Sequence, residues 1–121
     1  MKTAEIDEML ELLMSATKTG KLTWQLEHED DTAFISYING CSIAIDLYFD
    51  SVTMTKKASV ELYNDEGDSF RKWNYSESVR PDRYAQVKDI YNVVKDRYFK
   101  ISESEELILT GLRSLMKDNS Q

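Results

Sequence analysis

Near the start of the chain, apolar side chains recur at steps of three and four, which is the spacing of one face of an α-helix. The apolar residues of this stripe are Ile6, Met9, Leu10, Leu13 and Met14. Acidic residues occupy other positions of the same segment, as is typical of a side that faces water. Lys18 and Gly20 follow the last apolar residue and are typical of a helix end. The pattern therefore predicts an amphipathic helix over residues 5–16.

The middle of the chain changes to an apolar period of two, which is the period of a half-buried β-strand. The alternation predicts five strands, the first beginning at residue 21 and the others lying at 32–38, 42–49, 57–63 and about 69–75. Between the second and third strands, Asn39-Gly40 is a pair that tolerates the positive φ angles of a tight hairpin turn. The connections are shorter than the dozen or so residues of a parallel crossover, so we expect an antiparallel meander.

A second helix is predicted to begin at Pro81, because proline suits the first turn of a helix, and to reach about Phe99. Its apolar stripe consists of Tyr84, Val87, Ile90, Tyr91, Val94 and Tyr98. The three tyrosines of this stripe are seven residues apart, a spacing that could also serve a helix–helix dimer. Packing against the core is the favoured interpretation.

The run Ser102-Glu103-Ser104-Glu105 has the spacing of a capping box and predicts the start of a third helix. The apolar residues on its stripe are Leu107, Ile108, Leu112, Leu115 and Met116.

Together these elements predict one α+β domain over residues 1–121. The expected architecture is a single five-stranded antiparallel meander sheet with one N-terminal and two C-terminal helices packed on one face. In the third strand, the helices should bury the row Ile43, Ile45, Leu47 and Phe49.

Composition limits the compartment and the partners. The chain has 121 residues, with 15 Lys and Arg against 22 Asp and Glu, for a formal net charge of -7. Cys41 is the single cysteine, so no internal disulfide can form and a reducing compartment is favoured. No apolar run is long enough for a membrane span or a secretory segment. We therefore expect a cytoplasmic protein with no membrane partner, and the acidic balance disfavours nucleic acid.

Few residues suit catalysis. The single histidine, His28, and Cys41 could form a thiol–imidazole pair, but a meander places them at opposite ends of a strand. Residues 27–31 combine His28 with four acids that could hold a divalent cation, although a solvated turn is the favoured interpretation. The glycines are isolated, so no phosphate-binding loop can be formed. The sequence predicts no catalytic residues, no metal and no cofactor.

One ligand-binding alternative stays open. Lys56-Lys57, Arg71-Lys72 and Arg80 with Arg83 could form a local basic edge that meets a phosphate. The chain also has seven Tyr and two Trp, which could stack on a base.

The sheet face opposite the helices carries the more informative pattern. Asp46, Tyr48, Glu61 and Tyr63 should lie there together, among small residues. Tyrosine is enriched at recognition surfaces, so these four residues are the predicted partner-binding site. The alternative is an ordinary polar face of an antiparallel sheet.

The helix, the segment T-K-T-G-K-L-T-W at residues 17–24, the sheet and the C-terminal helices together resemble small, uncharacterised proteins of bacterial genomes and mobile elements. Those proteins have no assigned activity, so the resemblance implies a layout and no site residues.

The leading interpretation is a non-enzymatic protein-interaction or regulatory accessory module. It would dock through its Tyr-bearing sheet face, or a sheet edge, on a protein partner or a second copy of itself. The alternative is an oligomeric protein that binds or sequesters a nucleotide-like small ligand. A metal-assisted hydrolase that uses His28 comes third.

Overall fold

The computed structural model describes residues 1–28 and 32–119. In chain order, its elements are α1 (Thr3–Lys18), β1 (Gln25–Leu26), β2 (Phe34–Ile38), β3 (Cys41–Asp50), β4 (Thr55–Tyr63), β5 (Ser69–Ser76), α2 (Pro81–Phe99) and α3 (Ile101–Asn119). The predicted α+β class and the predicted order of one helix, five strands and two helices are confirmed.

The five strands form one antiparallel sheet in chain order, as the short connections predict. Asn39 and Gly40 have φ angles of 57° and 83°, and they set Ile38 opposite Cys41 in a tight hairpin. Nine residue pairs join β3 to β4, so these two strands form the centre of the sheet.

The first strand is shorter than predicted, since β1 contains only two residues. The Lys21 N–H donates to the Ala16 carbonyl at 2.9 Å, which folds the chain back over the end of α1. The Thr23 carbonyl accepts a hydrogen bond of 2.7 Å from the Ser36 hydroxyl. These two bonds tie residues 21–24 to α1 and to β2, so this segment does not pair as part of β1.

The core lies between one face of the sheet and helices α1 and α2. Its buried side chains are Leu10, Leu13, Trp24, Phe34, Ile43, Ile45, Ala58, Val60, Tyr75, Tyr84, Val87, Ile90, Tyr91 and Val94. Phe34 is in edge contact with Tyr91, with 5.4 Å between the ring centroids. Tyr84 and Tyr91 are thus core residues, whereas Tyr98 is partly exposed at the end of α2.

The predicted core row of β3 is correct at its centre and wrong at one end. Ile43 and Ile45 are buried and Leu47 is half-buried, but the Phe49 side chain is 56% exposed. Phe49 lies near the end of a ten-residue strand, beyond the width that the two helices cover.

Helices α1 and α2 run parallel across the sheet. Arg83, near the start of α2, forms an ion pair with Asp7, near the start of α1. Near the opposite ends, the Arg97 guanidinium donates to the carbonyl of Lys18. Two such contacts, one at each end, fix the helices side by side.

The segment of residues 17–24 has a structural role. The buried Thr17 hydroxyl donates to the Leu13 carbonyl at 2.7 Å and accepts from the Trp24 indole nitrogen at 3.0 Å. Gly20 lies between them with a φ of 73°, a conformation that glycine adopts without strain. The first and last residues of the segment therefore bind each other and lock the connection that leaves α1.

Helix α3 stands apart from the core. Lys100, in the left-handed conformation with a φ of 52°, is the single residue between α2 and α3. The Ser102 N–H and hydroxyl both donate to Asp96, at 3.0 and 2.7 Å, and cap the new helix. All side chains from Ser102 to Lys117 are exposed. The predicted apolar stripe is present, but it faces outward, which the sequence did not predict.

Replacing Thr17 with Val keeps the side-chain shape and removes the oxygen that accepts the Trp24 N–H. We expect a loss of about 1–3 kcal/mol in the free energy of unfolding, because a buried donor loses its partner. Urea denaturation followed by circular dichroism measures this change.

Trp24→Phe serves as the second arm of a double-mutant cycle. The Thr17→Val/Trp24→Phe variant should lose less stability than the sum of the two single changes. Additive losses would show that the bond does not couple the two residues.

Candidate functional site

The four residues predicted to bind a partner do share the open face of the sheet. Asp46 and Tyr48 lie on β3, Glu61 and Tyr63 lie on β4, and all four are half-buried. Tyr63 pairs with Ser42 near the start of β3, whereas Tyr48 is near the end of that strand. The two tyrosines therefore occupy opposite ends of this face.

Hydrogen bonds within the chain engage the polar groups around Tyr63. Its hydroxyl lies 2.8 Å from a carboxylate oxygen of Glu61 and 3.2 Å from one of Glu27. The Ser69 hydroxyl donates to the other Glu61 oxygen at 2.7 Å. Burial and the neighbouring Glu61 carboxylate raise the pKa of the Tyr63 hydroxyl.

Burial disfavours the charged form of Glu61, yet the hydrogen bonds from Ser69 and Tyr63 outweigh it. These bonds, with the nearby cation Lys72, lower the pKa of the Glu61 carboxyl. Glu61 is thus held as a carboxylate whose two oxygens both accept bonds from its own chain.

The other end of the face is similar. The Tyr48 hydroxyl donates to the side-chain oxygen of Asn74 at 2.9 Å. The Tyr48 side chain therefore reaches from β3 across β4 to β5. The Thr32 hydroxyl donates to Asp46 at 2.6 Å. The predicted binding residues thus form local networks that brace the sheet face.

A second surface, on the helix side of the sheet, has a different character. There α1 and one end of the sheet form an open groove of about 570 Å³. The residues that line it are Met1, Glu5, Glu8, Met9, Leu12, Leu13, Ala16, Leu22, Ile38, Cys41, Ser42, Ile43, Leu62, Tyr63 and Phe70. Most of these side chains are apolar, so we call this surface the apolar groove.

A β-bulge contributes one wall of the apolar groove. Leu62 pairs with Arg71 and Tyr63 pairs with Ser69, so Phe70 is an extra residue on β5. Such a bulge redirects a side chain, and Phe70 lines the groove while remaining 56% exposed.

The charges of the apolar groove are acidic. Glu5 and Glu8, both on α1, are the charged residues of its lining. On the opposite flank of α1, Met14, Ser15 and Lys18 face α2 instead. Helix α1 therefore lies between α2 and the apolar groove.

The apolar groove was not predicted from the sequence, although α1 carries a signal for it. Leu12 lies outside the predicted stripe and is 58% exposed on the groove side. Together with Met9 and Leu13, it makes α1 apolar over more of its circumference than one buried face requires. Excess apolar width of this kind indicates a second contact surface.

The exposed stripe of α3 is a further apolar surface. Its side chains, 43% to 69% exposed, are Leu107, Ile108, Leu109, Leu112, Leu115 and Met116. An apolar helix face of this width, left in water, is typical of a protein contact.

The candidate catalytic residues lie apart. Glu27 bonds to Ala33 near the start of β2, whereas Cys41 faces Ile38 at the end of β2, so His28 and Cys41 lie at opposite ends of that strand. The described residues hold no cluster of three or more His, Cys, Asp or Glu side chains that could bind a metal. Residues 29–31 of the acidic run lie outside the described ranges.

The basic residues proposed for a phosphate do not form an open array. Lys57 pairs with Asp50 at 2.7 Å, Arg80 pairs with Asp82 at 3.2 Å, and Arg83 pairs with Asp7. Lys56 and Lys57 are adjacent strand residues, so their side chains point to opposite faces of the sheet. Arg71 and Lys72 on β5 are separated in the same way.

Across residues 1–28 and 32–119, none of the helices has the length and apolar character needed to cross a membrane. The comparisons with protein-family models, curated proteins and solved structures found no match to this chain. The resemblance of residues 17–24 to proteins of bacterial genomes and mobile elements stays a prediction.

The bonds around Glu61 make a prediction about pH. Because the folded-state pKa of Glu61 is lowered, its stabilising contribution is present above its ordinary value of 4.5 and is lost as the pH falls through the lowered value. Tyr63→Phe should raise the pKa of Glu61, as measured by NMR titration of the carboxyl carbon. An unchanged titration would show that the Tyr63 bond does not hold the carboxylate.

Proposed function

We propose that this protein is a non-enzymatic protein-interaction module whose apolar groove receives an amphipathic helix of a protein partner. The observation that carries the proposal is the groove itself, an open apolar channel beside α1 with exposed Leu12 and Phe70 at its walls. Helix-in-groove recognition uses such a surface, with apolar anchors repeating at helical spacing.

The dimensions of the groove support a helix as the occupant. Its α1 wall runs from Glu5 to Ala16, which is about 17 Å at the helical rise of 1.5 Å per residue. That length faces about three turns of a partner helix. Because few of the lining groups are polar, the groove suits apolar packing better than recognition of a polar small molecule.

The sheet face with Asp46, Tyr48, Glu61 and Tyr63 is the second candidate surface. Its tyrosine hydroxyls and carboxylates already bond within the chain, so a partner there would compete with existing hydrogen bonds. Nucleotide binding has less support, since Lys57, Arg80 and Arg83 are paired with carboxylates. A nucleotide that raised the melting temperature would reverse this preference.

We further propose a reducing, cytoplasmic setting in a bacterial host or mobile element. The free thiol of Cys41, exposed at the apolar groove, is compatible with that setting.

The test is an NMR titration with a synthetic Leu/Lys amphipathic helix of about 18 residues. The titrated chain carries Leu112→Glu, so that α3 of another molecule does not compete. We expect shift changes at groove residues, and adding Leu12→Glu should weaken binding at least tenfold, because it places a charge among apolar contacts. Leu12 is exposed, so this change should leave the fold intact.

Tyr48→Ala provides the control on the second surface, because Tyr48 is not among the groove residues whereas Tyr63 lines both surfaces. The groove predicts unchanged peptide affinity for Tyr48→Ala, which lies on the other side of the sheet. Binding that is insensitive to Leu12→Glu, or lost in Tyr48→Ala, would contradict the groove and favour the sheet face.

A further inference from the structure

We infer that the apolar groove receives helix α3 of a second copy of this chain, and that two copies exchange these helices reciprocally in a symmetric dimer. The inference rests on the proposed function of the groove and names its partner. Two apolar surfaces of one chain, a groove and a helix, are the observations that carry it.

Helix α3 is built for a contact that its own chain does not provide. Ile108, Leu112 and Leu115 lie on one side of the helix and are 63%, 54% and 60% exposed. None of the described side chains from Ser102 to Lys117 is buried. Burial of this stripe requires a surface outside the α1, α2 and sheet core of the same molecule.

The chain connection prevents α3 from reaching the groove of its own molecule. Lys100 is the single residue between α2 and α3, and it spans two Cα–Cα steps, about 7.6 Å. Helix α1 separates α2 from the groove, and adjacent packed helices are about 8–10 Å apart. The groove is thus two helix spacings from α2, so its helix must come from another molecule.

The two surfaces match in length. The apolar part of α3, from Leu107 to Met116, is about 14 Å long, and the α1 wall of the groove is about 17 Å long. One helix face therefore fits within one groove.

The apolar side of α3 between Leu107 and Met116 is uncharged, because Arg113 and Lys117 lie with Thr110 on the opposite side of the helix. An uncharged helix face suits the mostly apolar lining of the groove.

Reciprocal exchange gives a closed assembly of ordinary size. Each copy contributes one groove and one helix, so a two-fold axis uses both surfaces and leaves none open. The fifteen groove residues and the six apolar residues of α3 fall within the roughly 20–30 residues a side of stable interfaces.

Cys41 gives a direct test, because it is the single cysteine and lines the groove. Ile108, Leu112 and Leu115 are replaced one at a time by Cys in the full chain, and the proteins are oxidised and run on non-reducing gels. We expect at least one variant to form a disulfide between the new thiol and Cys41 of a second molecule, as peptide mapping identifies. Thr110→Cys, on the opposite side of α3, is the matched control and should not crosslink.

The same variants in a Cys41→Ser background separate two ways of pairing. Loss of the crosslink supports the exchange. Crosslinks that persist there would show that the two α3 helices pair with each other, and a disulfide within one molecule would show that α3 folds back. Either result, or the absence of any crosslink, overturns the inference.

Light scattering measures the assembly itself. The wild-type chain should have twice the 14.1 kDa mass of one copy, and Leu112→Glu/Leu115→Glu should have the mass of one copy with an unchanged circular dichroism spectrum. Thr110→Glu, on the side of α3 opposite Ile108, Leu112 and Leu115, should remain a dimer. A monomeric wild type overturns the inference.

The two proposals fail in distinguishable ways. If the synthetic peptide binds the groove of the Leu112→Glu chain but no Cys41 crosslink forms, the groove is a helix-binding site for another partner. If the peptide does not bind the groove, the proposed function itself is wrong.

Discussion

The packing of two parallel helices across one face of the sheet is the constraint on which the other features depend. Strand β3 has ten residues and is about 33 Å long, whereas two helices side by side cover about 20 Å of it. The ends of the strand therefore extend past the helix layer. At one end Phe49 is left exposed, and at the other end the apolar groove opens beside Cys41. A further helix beside α1 would complete the layer.

The chain has a third helix of suitable pattern, but its connection places that helix elsewhere. One residue, Lys100, links α2 to α3, and Asp96 fixes the turn by accepting two bonds from Ser102. The apolar stripe of α3 and the apolar groove thus belong to the same chain without meeting within it. The reciprocal exchange that we propose would resolve this mismatch without any change in the fold.

Local signals were sufficient to predict most of the fold. The Asn39-Gly40 turn and the period-two strands fixed the meander, and the helical periods placed all three helices, because each pattern depends on near neighbours. The exceptions depend on distant contacts. Strand β1 is short because Lys21 bonds back to Ala16, and the groove depends on a bulge at Phe70 that no local motif marks.

For the candidate sites, the alternation of side chains correctly placed Tyr48 and Tyr63 on the open face of the sheet. It could not indicate that the Tyr48 hydroxyl would donate to Asn74 and the Tyr63 hydroxyl to Glu61. Nor could amphipathicity identify what covers an apolar stripe. Helices α2 and α3 each carry an apolar stripe, yet most of the first is buried and the second is exposed.

Because the stripe of α2 is buried and that of α3 is exposed, the residues that stabilise the fold differ from those available for a contact with another molecule. Stability depends on α1, α2 and the sheet, since every buried core side chain that the structure describes belongs to those elements or to the connection at Trp24. The exposed apolar side chains of α3 lie outside this core, and in the dimer that we propose they contribute to contacts between molecules instead. Selection on partner binding can therefore change the stripe of α3 with little cost to the free energy of unfolding, whereas Leu13 and Ile43, which serve both the core and the groove, cannot change so freely.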